Sequence, residues 1–187
     1  MPPAIPHCAE TSRLVRFLRP LAIGLGGVML MTISAKVQIP FWPVPMTLHT
    51  LAVMAFAVLL GPRMATAIFA AYLAAGATGL PVFSGSPERG LGLAYIAGPT
   101  GGYLIGYLIA SGITGWLAAG RGLLGQVLAM LAGLGVVYGL GLIWLAVFVP
   151  SAQLLAVGVL PFLLGDLVKI ALVALATQGV ARLRSAK

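Results

Sequence analysis

The sequence predicts an all-α integral membrane protein with six transmembrane helices and both termini in the cytoplasm. Of its 187 residues, 60% are hydrophobic and only 7% are charged, whereas soluble domains carry roughly 25% charged residues. The mean hydropathy is +1.09. At about 20 residues per spanning helix, the chain has room for six or seven spans, so we expect one helix bundle in lipid.

Six apolar runs separated by prolines and glycines are the predicted helices. They cover residues 17–35, 47–60, 64–80, 98–119, 123–149 and 153–181. The membrane domain is therefore expected over residues 17–182, with cytoplasmic tails at 1–16 and 183–187. The second run is short for a full crossing, so a tilted or re-entrant segment is the alternative there.

Each run ends where the backbone is unlikely to stay helical. Proline lacks a backbone N–H and clashes with the preceding turn, and glycine is a poor helix former. The residues that end the first five runs are Pro40, Gly61, Pro81, Gly120 and Pro150. A loop is expected over residues 82–95, which are rich in glycine, and Pro161 is expected to interrupt the last run.

Basic residues flank the runs in a pattern that orients the bundle. Six crossings place eight of them inside: Arg13, Arg16, Arg19, Arg63, Arg121, Arg182, Arg184 and Lys187. The outer loops hold only Lys36 and Arg89. Lysine and arginine are enriched in cytoplasmic loops, so both termini are predicted inside. The net charge of +8 thus reflects basic residues that flank the membrane segments. Since the sequence has no basic face with interleaved aromatic residues, no nucleic-acid partner is expected.

Small residues recur at every fourth position in three of the predicted helices. They are Ala22 and Gly26, then Gly98, Gly102, Gly106 and Ala110, then Gly135 and Gly139. Such stripes let helix backbones approach closely in lipid. We expect the second and third stripes to pack within the bundle, whereas the first can either do so or dock on a partner protein.

Two ionisable residues, Asp166 and Lys169, lie within the last predicted helix. At a spacing of three they share one helix face. Each costs roughly 2.5–3.5 kcal/mol in a membrane span and is therefore a functional-site hypothesis by default. The alternative is a purely structural pair, but a buried pair rarely adds stability over apolar residues of similar volume. We predict a site for a polar solute in the outer half of the bilayer.

Lys36 and Arg89 are predicted on the same outer side as this site. One of them can meet an anionic group of a ligand, or both can contact lipid headgroups.

Enzymatic and metal chemistry have little support in the sequence. The phosphate-binding pattern G-x-x-x-x-G-K-[ST] is absent. His7 lies in the tail, and His49 has no Ser–Asp or Cys partner nearby in the sequence. The single cysteine, Cys8, allows neither a disulfide nor a thiolate metal site. We therefore expect a protein that is not an enzyme and that needs no metal or cofactor.

Four segments, in their order and spacing, resemble the BioY family. They are KVQIPFWPVPMTL at 36–48, GLPVF at 79–83, AGPTGGYL at 97–104 and PFLLGDLVK at 161–169. The resemblance covers about residues 19–181. It implies the biotin-specific substrate-binding (S) component of an energy-coupling-factor transporter in the bacterial cytoplasmic (inner) membrane. Such a component captures biotin from outside and delivers it inward with a transmembrane coupling (T) protein and two ATP-binding-cassette ATPases.

The same resemblance implies roles for individual residues. The first outer loop would cover the ligand, and Ala22 and Gly26 would dock on the coupling protein. The implied substrate-binding residues are Asp166, Lys169, Arg89, Tyr95, Thr47, Pro45, Lys36 and Thr100. His49 is a departure from the family pattern, in which we associate this position with a glutamine. A histidine side chain can still form hydrogen bonds there.

The chemistry of biotin agrees with the two charges in the last helix. Asp166 can accept from the ureido N–H groups, and Lys169 can donate to a carbonyl or a carboxylate. Which cation meets which end of biotin stays open, with Lys36 or Arg89 at the mouth as candidates for the carboxylate. The alternatives are a subunit for another vitamin, such as thiamine or riboflavin, and, from a different class, a membrane-embedded enzyme.

Overall fold

The computed structural model describes residues 7–39 and 42–185 and is almost entirely helical within them. Its helices are α1 His7–Lys36, α2 His49–Leu60, α3 Pro62–Ala77, α4 Gly92–Ala97, α5 Gly101–Ala118, α6 Leu123–Leu145, α7 Leu154–Gly158 and α8 Leu160–Ser185. A 3₁₀ turn, Ser151–Gln153, precedes α7. The strands β1 Gln38–Ile39 and β2 Met46–Thr47 form a short antiparallel hairpin between α1 and α2.

Three helical segments of the described chain are long and apolar enough to cross a membrane: Leu18–Lys36, Leu123–Leu145 and Ser151–Val180. Large apolar side chains such as Leu25, Ile143 and Leu164 lie on the bundle surface, each more than half exposed. A continuous apolar exterior of this kind is poorly compatible with water and suits lipid. The fold is therefore that of an integral membrane protein built from helices.

The structure changes several predicted boundaries. α1 begins at His7, so residues 7–16 of the predicted tail are helical, while its first six residues lie outside the described part. The predicted loop at 82–95 runs into α4. The last run is interrupted at Val159, and Pro161 is the second residue of α8. Proline is tolerated in a first helical turn because no intrahelical bond uses its N–H there.

The α5–α6 interface confirms the packing predicted for the second small-residue stripe. A Cβ built on Gly102 would lie 2.2 Å from the Trp144 Cβ, and one on Gly106 would lie 2.9 Å from the Val137 Cα. Ala110 is fully buried. The absence of larger side chains along this stripe lets the two backbones approach closely.

The packing predicted for the third stripe is wrong. Gly135 and Gly139 are exposed, with no atom within 4 Å of a Cβ built on either. The glycines of α6 that pack inward are Gly133, against Thr114, and Gly141, against Tyr103. A shift of two residues turns a helix by about 200°, so the predicted stripe is on the opposite face.

α5 occupies the centre of the bundle. It contacts α2, α3 and α6, while α8 packs against α2 and α6, and α1 packs against α2 and α3. At one end of this bundle lie the hairpin, the loop after α3, and α4 and α7. We call this the hairpin end. Both buried charged residues of the described chain, Asp166 and Lys169, face a cavity there, whereas the buried Ser111, Thr114 and Thr177 lie farther along the bundle.

Candidate functional site

The hairpin end encloses a cavity of about 530 Å³, counted as space without protein atoms and including its open mouth. Six of the eight predicted substrate-binding residues line it: Pro45, Thr47, Tyr95, Thr100, Asp166 and Lys169. The hairpin supplies the first two, the segment from α4 to α5 the next two, and α8 the two charges.

Asp166 and Lys169 form a buried ion pair in the cavity wall. The Lys169 Nζ lies 2.8 Å from the Asp166 Oδ1, and both residues are less than 10% exposed. The same Nζ donates to the backbone carbonyl of Thr47 at 2.6 Å. Because an ammonium group has three N–H donors, Lys169 keeps one donor for a ligand while it joins α8 to the second strand of the hairpin.

Tyr138 on α6 completes the surroundings of the carboxylate. Its hydroxyl donates to the Asp166 Oδ2 at 2.8 Å. Each carboxylate oxygen therefore receives one protein hydrogen bond and retains one further acceptor position. Tyr138 is absent from the predicted site because nothing in the local sequence indicates that it faces α8.

His49 lies at the centre of a second hydrogen-bonded group on the cavity floor. Its Nδ1 is 2.8 Å from the Thr47 Oγ1, and its Nε2 is 3.0 Å from the Tyr72 hydroxyl. Tyr72 in turn donates to the Val82 carbonyl at 3.2 Å. This direction assigns the ring hydrogen to Nε2 and makes Nδ1 the acceptor for Thr47. The group connects the hairpin to the loop after α3.

The remaining lining is dominated by aromatic rings. Phe83 and Tyr95 are stacked with centroids 4.8 Å apart, and His49 is stacked on Tyr107 at 5.8 Å. Burial raises the pKa of the Tyr95 phenol, which therefore faces the cavity as a neutral hydroxyl. Such walls suit a ligand with an apolar ring and a few polar edges.

All five tyrosines of the chain line this cavity, although only Tyr95 was predicted there. One signal in the sequence was available. Tyr103 and Tyr107 are four residues apart and so share one face of α5, and that face also carries Ser111 and Thr114. A hydroxyl-bearing stripe in an apolar helix indicates an inward polar face.

Lys36 and Arg89 are not part of the cavity lining. Each instead bonds a neighbouring segment at the mouth of the cavity. The Lys36 Nζ donates to the backbone carbonyl and the hydroxyl of Ser86, at 2.8 and 3.0 Å. The Arg89 Nη1 donates to the Pro43 carbonyl at 3.3 Å, and its guanidinium carbon is 5.9 Å from the centroid of the Trp42 ring. Lys36 therefore joins the end of α1 to the loop after α3, whereas Arg89 joins that loop to the hairpin turn, and ligand contact by either stays a prediction.

The predicted docking residues of α1 face away from the bundle. Ala22 is exposed, and no atom lies within 4 Å of a Cβ built on Gly26. The neighbouring Gly27 instead points inward, where a Cβ would lie 2.6 Å from an Ile68 carbon. Among the residues described, this small-residue face of α1 is left uncovered by the chain itself.

Comparison with known proteins gives consistent results. The model of the BioY family matches residues 9–186. A probable biotin transporter BioY of Pyrococcus horikoshii is 40% identical over 144 residues, which cover 77% of this chain and 85% of that protein. The biotin transporter BioY of Thermotoga maritima is 37% identical over 148 residues, covering 78% and 86%.

A solved structure is also similar. It is described as the S-component for biotin from an ECF-type ABC transporter. The two chains align with a TM-score of 0.78 and 27% sequence identity, over 89% of this chain and 93% of that one. The similarity thus extends over most of the chain.

Proposed function

We propose, from the premise that this chain belongs to the BioY family, that it is the biotin-binding membrane subunit of a vitamin uptake transporter. The family resemblance seen in four sequence segments is confirmed. The relatives are transporters, so the chain is a transport protein and not an enzyme.

The observation that carries this proposal is the buried Asp166–Lys169 pair in an otherwise aromatic and apolar cavity. The free acceptor positions of Asp166 suit the ureido N–H groups of biotin, and the remaining Lys169 donor suits its carbonyl or its carboxylate. Pro45, Thr47 and Thr100 add lining contacts. The aromatic rings around them, including that of Tyr95, surround the apolar thiophane ring and the alkyl tail.

Lys36 and Arg89 act at the mouth. Their positive charges favour the approach of an anionic carboxylate from outside. Arg89 also holds the hairpin turn against the loop after α3, and Lys36 holds the end of α1 against that loop. The hairpin is thus placed to cover a bound ligand.

We further propose six membrane crossings, by α1, α2, α3, α5, α6 and α8, with α4 and α7 in outer loops. The hairpin end then faces outward, and both termini face the cytoplasm. Positive charge supports this orientation, because the connections that carry Arg63 and Arg121 fall on the same side as the termini. The membrane is the bacterial cytoplasmic (inner) membrane.

The proposed partners are a transmembrane coupling (T) protein and two ABC-type ATPases. The solved relative is described as a component of an ECF-type ABC transporter, and this chain lacks the phosphate-binding pattern of an ATPase. The uncovered small-residue face at Ala22 and Gly26 supports docking of the coupling protein there. Biotin enters as the transported ligand, and no metal or cofactor is proposed.

Equilibrium binding to the purified chain in detergent tests the proposed ligand. We expect saturable binding of radiolabelled biotin that excess unlabelled thiamine or riboflavin does not displace. The Asp166→Asn variant should bind biotin at least about tenfold more weakly, or 1.4 kcal/mol. Displacement by another vitamin would reassign the substrate, and unchanged affinity in the variant would remove Asp166 from the site.

A further inference from the structure

Asp166 is held by donors from two different helices. Lys169, one turn along α8, donates to Oδ1, and Tyr138, on α6, donates to Oδ2, each at 2.8 Å. The phenol is the partner of Asp166 from outside its own helix among the contacts of the described residues. It therefore controls how the carboxylate is turned relative to the cavity.

The two partners make the carboxylate an acceptor only. An ammonium group can donate but cannot accept, and the Tyr138 hydroxyl already donates its single hydrogen. An ionised carboxylate offers about four acceptor positions, two on each oxygen. With one position on each oxygen in use, a ligand meets two adjacent acceptors and no donor on Asp166. This arrangement suits an N–H donor and disfavours a carbonyl or an anion at the same place.

The ring of Tyr138 is well fixed to perform this role. It packs against two of the buried apolar clusters, one that includes Val137 and Phe162 and another that includes Leu134 and Ile170. These contacts limit the movement of the ring, so its hydroxyl donates to Asp166 from a defined position. The hydrogen bond from this hydroxyl therefore fixes the direction in which the Asp166 Oδ2 points.

We propose that Tyr138 is a positioning residue that determines specificity, because it turns the Asp166 carboxylate so that a free acceptor position meets a ureido N–H group of biotin. This inference rests on the proposed function, in which Asp166 contacts that part of the ligand. It adds a residue from α6 to the recognition of the ureido ring and predicts that this residue acts there through Asp166.

The first test uses the wild-type chain and so does not depend on the folding of a variant. Affinities are measured for biotin and for two analogues, each methylated on a different ureido nitrogen, and the analogue that binds more weakly is the methylated analogue of the comparisons that follow. The wild type should prefer biotin by at least about tenfold, since a lost hydrogen bond to a charged group has this effect. Equal affinities would overturn the inference, whereas a failure to bind biotin at all would overturn the proposed function instead.

The second test compares Tyr138→Phe with Thr177→Val, a matched control. Thr177 on α8 donates to the Gln126 side chain of α6 at 3.1 Å, so both variants delete a side-chain hydrogen bond between the same two helices. We expect Tyr138→Phe to weaken biotin binding about tenfold and to reduce the preference over the methylated analogue. Thr177→Val should leave that preference unchanged. A similar effect of both variants would mean that Tyr138 only joins the helices.

A double-mutant cycle isolates the route of the effect. In the Asp166→Asn background, Tyr138→Phe should cause little further loss of biotin affinity, because the group that it positions has been changed. The same loss in both backgrounds would overturn the positioning role. Ligand-free thermal unfolding of each variant gives the accompanying measure of folding.

Discussion

Simultaneous replacement of the two buried charges separates a binding role from a structural one. In Lys169→Met the Asp166 carboxylate stays buried without its cation, and the Thr47 carbonyl loses a donor at 2.6 Å. Breaking a buried pair in this way costs about 3–5 kcal/mol of stability. In the double variant Asp166→Leu/Lys169→Met neither charge remains, and apolar replacement of a buried pair is often neutral or stabilising. We therefore expect the double variant to recover most of the lost stability.

Biotin affinity should not recover with it. Each of the two proposed ligand contacts is a hydrogen bond to a charged group and contributes roughly 1.5–3 kcal/mol. Their joint loss, about 3–6 kcal/mol, corresponds to a Kd larger by about 10²–10⁴. The Asp166→Leu and Lys169→Met single variants complete the cycle.

Two assays read the two quantities independently. Thermal unfolding in detergent, followed by tryptophan fluorescence at a fixed scan rate, ranks the apparent stabilities. Equilibrium binding of radiolabelled biotin gives Kd. If the double variant is folded and binds biotin within about threefold of the wild type, Asp166 and Lys169 are a structural pair and the site assignment is refuted.

Three further predictions concern packing, the mouth and topology. Gly106→Ala should lower the apparent Tm by several degrees because its Cβ would lie 2.9 Å from the α6 backbone, while Gly139→Ala, which points into open space, should leave Tm unchanged or raised. Lys36→Met should speed biotin dissociation because the hydrogen bonds to the loop after α3 are lost. If association slows and dissociation is unchanged, the role of the Lys36 ammonium is instead to attract the anionic ligand. In a background without the native cysteine, Glu88→Cys should react with an impermeant thiol reagent added outside intact cells and Arg121→Cys should not, and the reverse pattern would invert the proposed topology.

The sequence was sufficient for the helical membrane fold because the solvent imposes it. A lipid-facing surface must be apolar, and backbone polar groups must be paired within each segment, so apolar runs between prolines and glycines are readable as helices. Their ends were less predictable. The sequence predicts that Pro161 interrupts the last run, yet Pro161 occupies the first turn of α8. A proline breaks a helix only where its missing N–H would have formed an intrahelical bond, and no such bond is needed in the first turn.

A spacing of four shows which residues share a face but not where that face points. This spacing correctly shows that the stripe glycines of α5 share one face of their helix and that Gly135 and Gly139 share one face of α6. Gly106 lies against α6, whereas Gly135 and Gly139 face outward from α6. Deciding between them requires the rotation of the helix about its axis, which depends on the summed packing of all its neighbours.

The charges of the site were predictable because they are costly in lipid, whereas its hydroxyl groups were not. Asp166 and Lys169 are conspicuous in an apolar helix. A tyrosine is tolerated in many positions, from the membrane interface to the core, so Tyr72 and Tyr138 carried no comparable signal. Their role depends on contacts between residues distant in the chain, such as the one from Tyr138 to Asp166.

The completeness of the hydrogen bonding in the cavity explains how such a polar site is compatible with a stable bundle. Among the described residues, no buried side-chain nitrogen or oxygen lacks a hydrogen-bond partner. Asp166, Lys169, Thr47 and His49 therefore satisfy one another through protein contacts, and the cost of burial is offset before a ligand arrives. Biotin then binds through the acceptor and donor positions left over on groups that are already oriented. Affinity in this site should thus come from preorganisation, which is why removal of an orienting partner is expected to weaken binding by changing the orientation of the group that meets the ligand.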